Sequence, residues 1–485
     1  MREAAVQRAL LANGRAKRAW TVSFSKTGIT PHGVREDLAR DMVARVGVGN
    51  QRVRNDFDRV PIFQRPICNA TWDKTERRWI NIVLEGEEGF SYAPEKPYRE
   101  VLYRAQPFWY RVEMEGISNP SRVSVSDHPL EGYRLAPMFP NGKDYVYRPC
   151  FEMGLGDDGL PHSRAGLKPL YTNAKTLMEH ARAYDEGAHT ERSAEWFSDL
   201  LLQWVEFATK RVQEGMRGFT RHLHRLDPLE FLRHDDKGRA VLLLPAARRK
   251  EFSVGVYGHV SDLTSGKTLS AEAEVIEILP ASGGDFQILL STGLRTENLT
   301  LDENGRASGV SVLINGIRSG GALGHVKASS GMPIECADGF QPAVWRGKEN
   351  PWGGRSSLLC DLRISRPAGE MSLYYLQNLR DWQAQGLSGW QKSECVSTVA
   401  SVTYITSYQA DTAHPHLMLP VSVQGSPAKY FSAYFAAAQG EALSVFTGGT
   451  RTHNDAINSA TYTAYPIATA NSGQYGGARL VLGEV

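Results

Sequence analysis

No run of this 485-residue chain approaches the ~20 consecutive apolar residues of a membrane-spanning helix, so a helical membrane protein is not expected. The opening Met1-Arg2-Glu3-Ala4-Ala5 lacks an apolar core followed by a small-residue cleavage site, which argues against a secretory leader. Cysteine is scarce. Cys68, Cys150, Cys336, Cys360 and Cys395 form an odd set with no C-x-x-C pair, which supports neither a disulfide framework nor a zinc knuckle. They read as buried, reduced thiols of a protein folded in the cytoplasm. An excess of one charge is also missing: Lys plus Arg number 55 and Asp plus Glu 53, a net +2, so no general nucleic-acid footprint is expected. Repeats and low-complexity tracts are absent as well.

Signatures of chemistry are equally sparse. Gly154-Leu155-Gly156-Asp157-Asp158-Gly159 lacks the Lys-Ser/Thr of a P-loop and the carboxylate spacing of an EF-hand, and reads as a tight turn. No Gly-x-Ser-x-Gly elbow occurs. His222, His224 and His234, the last followed by Asp235 and Asp236, make a metal cluster conceivable, but a solvated helix end or strand face fits the pattern equally. Carboxylate pairs for glycoside hydrolysis are too abundant to single one out. The expectation is no metal and no cofactor.

What is present is material for cores: 41% apolar residues, with 10 Trp and 19 Tyr. Residues 1–30 open with a basic, helix-prone stretch that runs into Trp20-Thr21-Val22-Ser23-Phe24, and read either as an arm docking on a partner or as an ordinary first helix. Segments 78–83 and 107–112 read as aromatic, β-branched strands. Phe197, Leu200, Leu201, Trp204 and Ala208 recur at helical spacing and predict a helix over 194–213, with Asp199, Gln203, Glu206 and Lys210 mostly on its other face. A weaker helix is expected over 173–187. From 228 to 330 the texture turns to short strands (241–244, 251–256, 273–278, 287–290) punctuated by Ser282-Gly283-Gly284 and Asn304-Gly305, which suggests a small β-barrel or sandwich inserted in a larger domain. After 331, Gly, Ser, Thr and aromatics predict a loop-heavy domain supported by strands.

Several motifs carry a resemblance. Gly33-Val34-Arg35, Asn55-Asp56-Phe57-Asp58-Arg59-Val60-Pro61-Ile62, Pro107-Phe108-Trp109-Tyr110, Arg148-Pro149-Cys150-Phe151-Glu152-Met153, His162-Ser163-Arg164-Ala165-Gly166 and Val205-Glu206-Phe207-Ala208-Thr209 occur in the first half. Trp345-Arg346-Gly347-Lys348-Glu349-Asn350-Pro351-Trp352-Gly353, then Thr447-Gly448-Gly449-Thr450 and Gly477-Ala478-Arg479, occur in the second. Over residues 31–215 and 331–485 the chain resembles a family of tailed-bacteriophage virion structural proteins whose C-terminal half is similar to the formylglycine-generating-enzyme branch of the C-type lectin fold. The resemblance implies an α+β fold: a loop-rich, C-type-lectin-like core with an inserted all-β unit. It divides the chain into a docking arm (1–30), a first part of the core (31–227), the insert (228–330) and a lectin-like C-terminal part (331–485). Trp345, Trp352, Gly353, Gly448, Gly449, Gly477 and Arg479 are then the structural core, with Arg479 tying loop carbonyls together.

An oxidase of that branch would use cysteine thiolates near the C-terminal core to bind copper. The chain has no cysteine after Cys395, so those catalytic residues have nothing to map onto and no enzyme is expected. Arg451, His453, Asn454, Asn458, Tyr462, Tyr465, Asn471 and Tyr475 offer adaptable hydrogen bonding and rigid aromatic area between two glycine-bracketed anchors, as recognition loops do. The expected function is a virion protein of the tail tip, baseplate or fibre that presents this stretch to a host surface receptor, glycan or protein. The alternative is a purely architectural capsid-decorating or tail-ring protein. Either reading implies other virion proteins as partners through residues 1–30, homo-oligomeric assembly such as a trimer, and neither nucleic-acid binding nor membrane insertion.

Overall fold

Short β-branched and aromatic segments recur from Trp20 onward, and in the computed structural model of the protein they become strands, 40% strand against 12% helix. This corrects the α+β expectation: the lectin-like core is replaced by several sheets and a closed barrel, because helix-period stripes are confined to two segments. The structure describes residues 19–115, 119–220, 224–336, 338–352, 357–367, 369–399, 403–426, 428–431, 433–447, 462–465 and 476–482.

Five antiparallel strands make the first sheet, in the order Gly33–Asp37, Trp20–Phe24, Asn119–Ser126, Trp109–Glu115, Arg134–Leu135. Trp20–Phe24 has a neighbour on each side, with Trp20 opposite both Asp37 and Val125. Val22 is fully buried, and Thr21 reaches Ser124 Oγ at 3.0 Å. Residues 20–24, the end of the stretch read as 1–30, are thus paired within the first sheet, and residues 1–18 lie outside the described residues. A second sheet orders Val146–Pro149, Glu100–Ala105, Ile67–Asp73 and Arg78–Leu84. Short strands at Gly47–Val48, Ser330–Met332, Val344–Trp345 and Lys348–Glu349 tie the two halves of the chain together.

The barrel closes through Leu229–His234, Ala240–Leu244, Phe286–Leu290, Thr268–Pro280, Val256–Asp262 and Ala307–Ile317, which returns to the first strand. Closure leaves no open sheet edge. Its interior has its own apolar cluster, including Phe231, Leu242, Val260, Ile288 and Ile314. Gly258 sits where a Cβ would meet the Leu313 carbonyl oxygen at 2.2 Å, so the close approach of two strands requires glycine there. The strand expected over 251–256 does not form. A 3-10 turn occupies Ala246–Glu251, Gly255 takes φ +87°, and strand geometry begins only at Val256.

The C-terminal sheet has eight strands, in the order Gln391–Ser397, Met371–Tyr375, Ser357–Arg366, Gly440–Thr447, Tyr462–Tyr465, Tyr434–Ala437, Thr403–Ala410, Met418–Val423. All its pairings are antiparallel except Tyr434–Ala437 with Tyr462–Tyr465.

Among the described residues, two α-helices pack against these sheets. α1, Ala174–Tyr184, starts at Asn173, whose side chain accepts the Thr176 N–H at 3.0 Å. α2, Ser193–Phe207, starts where the Glu195 side chain accepts the Arg192 N–H, and ends at Ala208 with φ +51°. The expected 194–213 is thus shortened, because the left-handed Ala208 turns the chain away. Fourteen of the fifteen α2 residues are buried. Leu200, Leu201 and Val205 are inaccessible, each worth about 1.5–3 kcal/mol of transfer free energy. The polar side of α2 is not a solvated face, since Asp199, Gln203 and Glu206 are as buried as the leucines. No helix among the described residues is long and apolar enough to cross a membrane.

Candidate functional site

Burying a carboxylate is costly unless it is paired and hydrogen-bonded, and α2 carries three buried carboxylates. Glu195 meets Arg148 at 3.2 Å and Arg192 at 2.8 Å. Asp199 receives Arg65 at 2.5 Å and Lys348 at 3.0 Å, and Lys348 also meets Glu191. Glu206 is the most heavily used. Its Oε1 accepts from Asn55 Nδ2 (2.7 Å) and Arg346 Nη2 (2.8 Å), and its Oε2 accepts from Trp345 Nε1 and Arg346 Nε, both at 2.8 Å.

The protonation states follow from this pairing. Burial alone would raise the Glu206 carboxyl, but Arg346, Asn55 and Trp345 outweigh it and hold it below the usual range. Asp199 follows the same logic with Arg65 and Lys348. Glu195, buried but flanked by Arg192 and Arg148, is pulled down to about 2. Glu349 goes the other way: burial raises it, although it accepts the N–H groups of Gly320, Ala322 and Leu323 at 2.7–2.9 Å. Lys210 lies 4.8 Å from the ring centroids of both Phe24 and Phe431, and burial pushes it down to about 7.

The motif segments meet around this centre. Asn55 comes from the 55–62 motif, Arg148 and Cys150 from the 148–153 stretch, Glu206 from the end of α2, and Trp345, Arg346 and Lys348 from the 345–353 stretch. Arg479 closes it, donating Nη1 to the Cys150 carbonyl at 2.8 Å and Nη2 to the carbonyls of Glu349 and Asn350. Trp345 and Trp352 are fully buried, and Trp352 Nε1 donates to the Met216 carbonyl at 2.5 Å. Gly477 bridges Ser357, and its carbonyl accepts the Leu358 N–H at 3.1 Å. The rim of the centre reaches a cleft of about 490 Å3 that Asp58, Gln64, Glu85 and Arg346 help to line. There the Arg346 donors are spent on Glu206, Asp58 and the Phe63 carbonyl. The arrangement holds distant chain segments together.

Of the expected contact residues, Arg451, His453, Asn454, Asn458, Asn471 and Tyr475 lie outside the described residues, as do Gly353, Gly448 and Gly449. Tyr462 and Tyr465 do not lie in a loop. They bound the strand Tyr462–Tyr465 inside the eight-stranded sheet, where Thr447 pairs with Tyr462 and Ser444 with Tyr465. Ser357, the first residue of its strand, pairs with both Thr447 and Gly477. Thr447, Tyr462, Ser357 and Gly477 thus share one end of the sheet; sequence segment 448–461 is bounded on both sides by residues of that end, whereas 466–475 runs from Tyr465, which pairs with Ser444 further into the sheet, to the residues beside Gly477.

The remaining sequence candidates have structural partners. His234 Nε2 accepts the Leu294 N–H at 3.1 Å, and the His224 ring packs on Phe340. His222 lies outside the described residues, and among those described no group of three potential ligands could hold a metal ion. The glycine-rich 154–159 segment turns between the strands Gly154–Leu155 and Pro161–His162. All five cysteines are buried and free. Burial pushes Cys68 up to about 12 and Cys395 up to about 11, away from reactive thiolates.

Three features were missed in the sequence. His162 is buried with Nδ1 2.7 Å from Glu100 and Nε2 3.1 Å from Asp158. A cleft of about 530 Å3 opens between α2 and the C-terminal sheet, lined by Val112, Met114, Phe197, Trp204, Asp411 and Met418 among others. A second, of about 610 Å3, lies where the barrel meets the body. Their members are scattered along the chain, so no local pattern announces them. No protein-family model matches the chain, and no curated protein matches it significantly in sequence.

Proposed function

We propose that the chain is a non-enzymatic structural protein of a tailed-bacteriophage virion, mounted at the tail tip, baseplate or fibre, and that segments 448–461 and 466–475 contact a host receptor. One observation supports the reading most: both anchors of segment 448–461, Thr447 and Tyr462, sit at one end of the eight-stranded sheet, and Gly477, just beyond segment 466–475, bridges Ser357 at the same end. Recognition surfaces are commonly irregular segments held by a rigid scaffold. Arg479, two residues beyond Gly477, fastens that end to the buried ion-pair centre. The phage assignment draws its support from motifs separated by hundreds of residues that converge on this centre. Its partners on this reading are other virion proteins, further copies of itself and the host surface.

Immunogold labelling of intact particles with antibody against the purified chain tests the mount. Label at the tail extremity is expected. Label confined to the head or to a ring along the tail would reject the receptor-contact reading in favour of an architectural one, and particles free of label after disruption as well would reject the virion assignment.

A further inference from the structure

The run Arg248-Arg249-Lys250 closes the barrel's 3-10 turn, and two of its three cations are neutralised. Arg248 meets Glu251 at 2.7 Å and Lys250 meets Asp338 at 2.9 Å. Arg249 is different. Its Nη1 donates to the Phe252 carbonyl at 2.8 Å and its guanidinium lies over the Phe286 ring at 5.5 Å, yet no carboxylate among the described residues pairs with it. Burial lowers its pKa with no acidic neighbour to offset the effect. A partly desolvated, unpaired cation is unfavourable unless something outside the chain pairs with it.

Arg249 lines the cleft of about 610 Å3 between the barrel and the body. The one acidic residue in that lining, Glu274, is already held by Arg318 at 2.6 Å, and Arg318 also donates to the Gly166 carbonyl at 2.7 Å. Asn50 and His325 face the same space, and neither side chain has a hydrogen-bond partner among the described residues. The walls are fixed from both sides. Gln341 of the body donates to the carbonyls of Lys250 and Phe252 at 2.9 and 3.0 Å and also binds Ser253, which pins the corner carrying Arg249. Opposite, the Arg318 N–H donates to the Gly255 carbonyl, and Gly320 takes φ +95° against Ala165, where a Cβ would clash at 2.5 Å. The cleft is thus preorganised, with a surplus of positive charge at Arg249.

We infer that this junction cleft is a binding site for a small anionic group, a carboxylate, sulfate or phosphate, held by the Arg249 guanidinium with Asn50 and His325 as further donors. Guanidinium matches the paired oxygens of all three groups. The size suits one or two sugar rings or a comparable small molecule. The inference stands independently of the virion reading.

Calorimetric titration of the full chain with sodium glucuronate, sulfate and phosphate, at ionic strength matched with sodium chloride, tests it. At least one anion is expected to bind saturably. Arg249→Gln should weaken that binding by at least about tenfold, the scale of a lost hydrogen bond to a charged group, and Arg249→Lys should weaken it less. Which anion binds tells a carboxylate-bearing ligand from a sulfate or phosphate one. Should Arg249→Gln fail to fold, phenylglyoxal modification of Arg249 in the unaltered chain, followed by peptide mass spectrometry, gives the second reading: the bound anion should slow it. Absence of saturable binding by all three anions, equal affinity in Arg249→Gln, or modification of Arg249 at an unchanged rate would each overturn the inference.

Discussion

Glu206 is the residue on which the buried centre turns, and replacing it with Gln removes one charge while keeping the shape. Arg346, 4% exposed, would lose its buried counter-charge and one of its two acceptor oxygens on residue 206, and the more exposed Asp58 would be left as its charged partner. The new amide would also turn an N–H2 toward groups that are all donors: Asn55 Nδ2, Trp345 Nε1 and Arg346. Removing one member of a buried, hydrogen-bonded pair costs about 3–5 kcal/mol, and that is the expected loss for Glu206→Gln. Urea unfolding followed by tryptophan fluorescence measures it cleanly, because all ten tryptophans lie outside the barrel and report on the body. Arg346→Met alone should be comparably damaging, and the double variant less so than the sum, with a coupling of at least about 1.5 kcal/mol. A Glu206→Gln protein within about 1 kcal/mol of the parent, at unchanged slope, would refute the idea that this pair organises the body.

Burial would depress His162, but Glu100 and Asp158 outweigh it and raise its pKa above the usual 6.5. The proton then stabilises the fold fully below about 6.5, and this contribution is lost as pH rises through the higher folded value. His162→Gln should therefore be most destabilising at pH 6 and progressively less so toward pH 9; a pH-independent penalty in thermal melts would contradict it. A chain beginning at Gly33 should fail to fold, since it lacks Trp20–Phe24, the strand that joins Gly33–Asp37 to the first sheet. A native-like near-UV circular dichroism spectrum from that truncation would show the strand to be dispensable.

Local pattern carried part of this structure. The apolar stripe Phe197, Leu200, Leu201 and Trp204 announces α2, and the strands near 78–83, 241–244 and 287–290 follow from composition. What failed was long-range. The burial of the polar side of α2 is not legible in the sequence because its partners Arg65, Lys348 and Arg346 lie 134, 149 and 140 residues away, where no periodicity can reveal them. The balance of fold class failed for a related reason: strands shorter than five residues, such as Tyr462–Tyr465, look like loop in a stretch rich in Gly, Asn and Ser until a neighbour supplies the ladder. The Tyr-Thr-Ala-Tyr composition was the available cue there. Arg249 escaped notice because only the three-dimensional pairing of Arg248 and Lys250 singles it out.

Host adsorption by the purified chain tests the proposed role most directly. Pre-incubation of host cells with the protein should block phage adsorption in a saturable manner. Arg451→Ala, Asn454→Ala and Asn458→Ala combined should weaken that block by at least about tenfold, as loss of interface hot spots does, while the urea midpoint stays unchanged. The three residues lie between Thr447 and Tyr462, so the sheet that anchors them is untouched. Equal blocking by the folded triple variant, or no blocking by the parent protein at saturating concentration, would contradict a host-contact function for this end of the sheet.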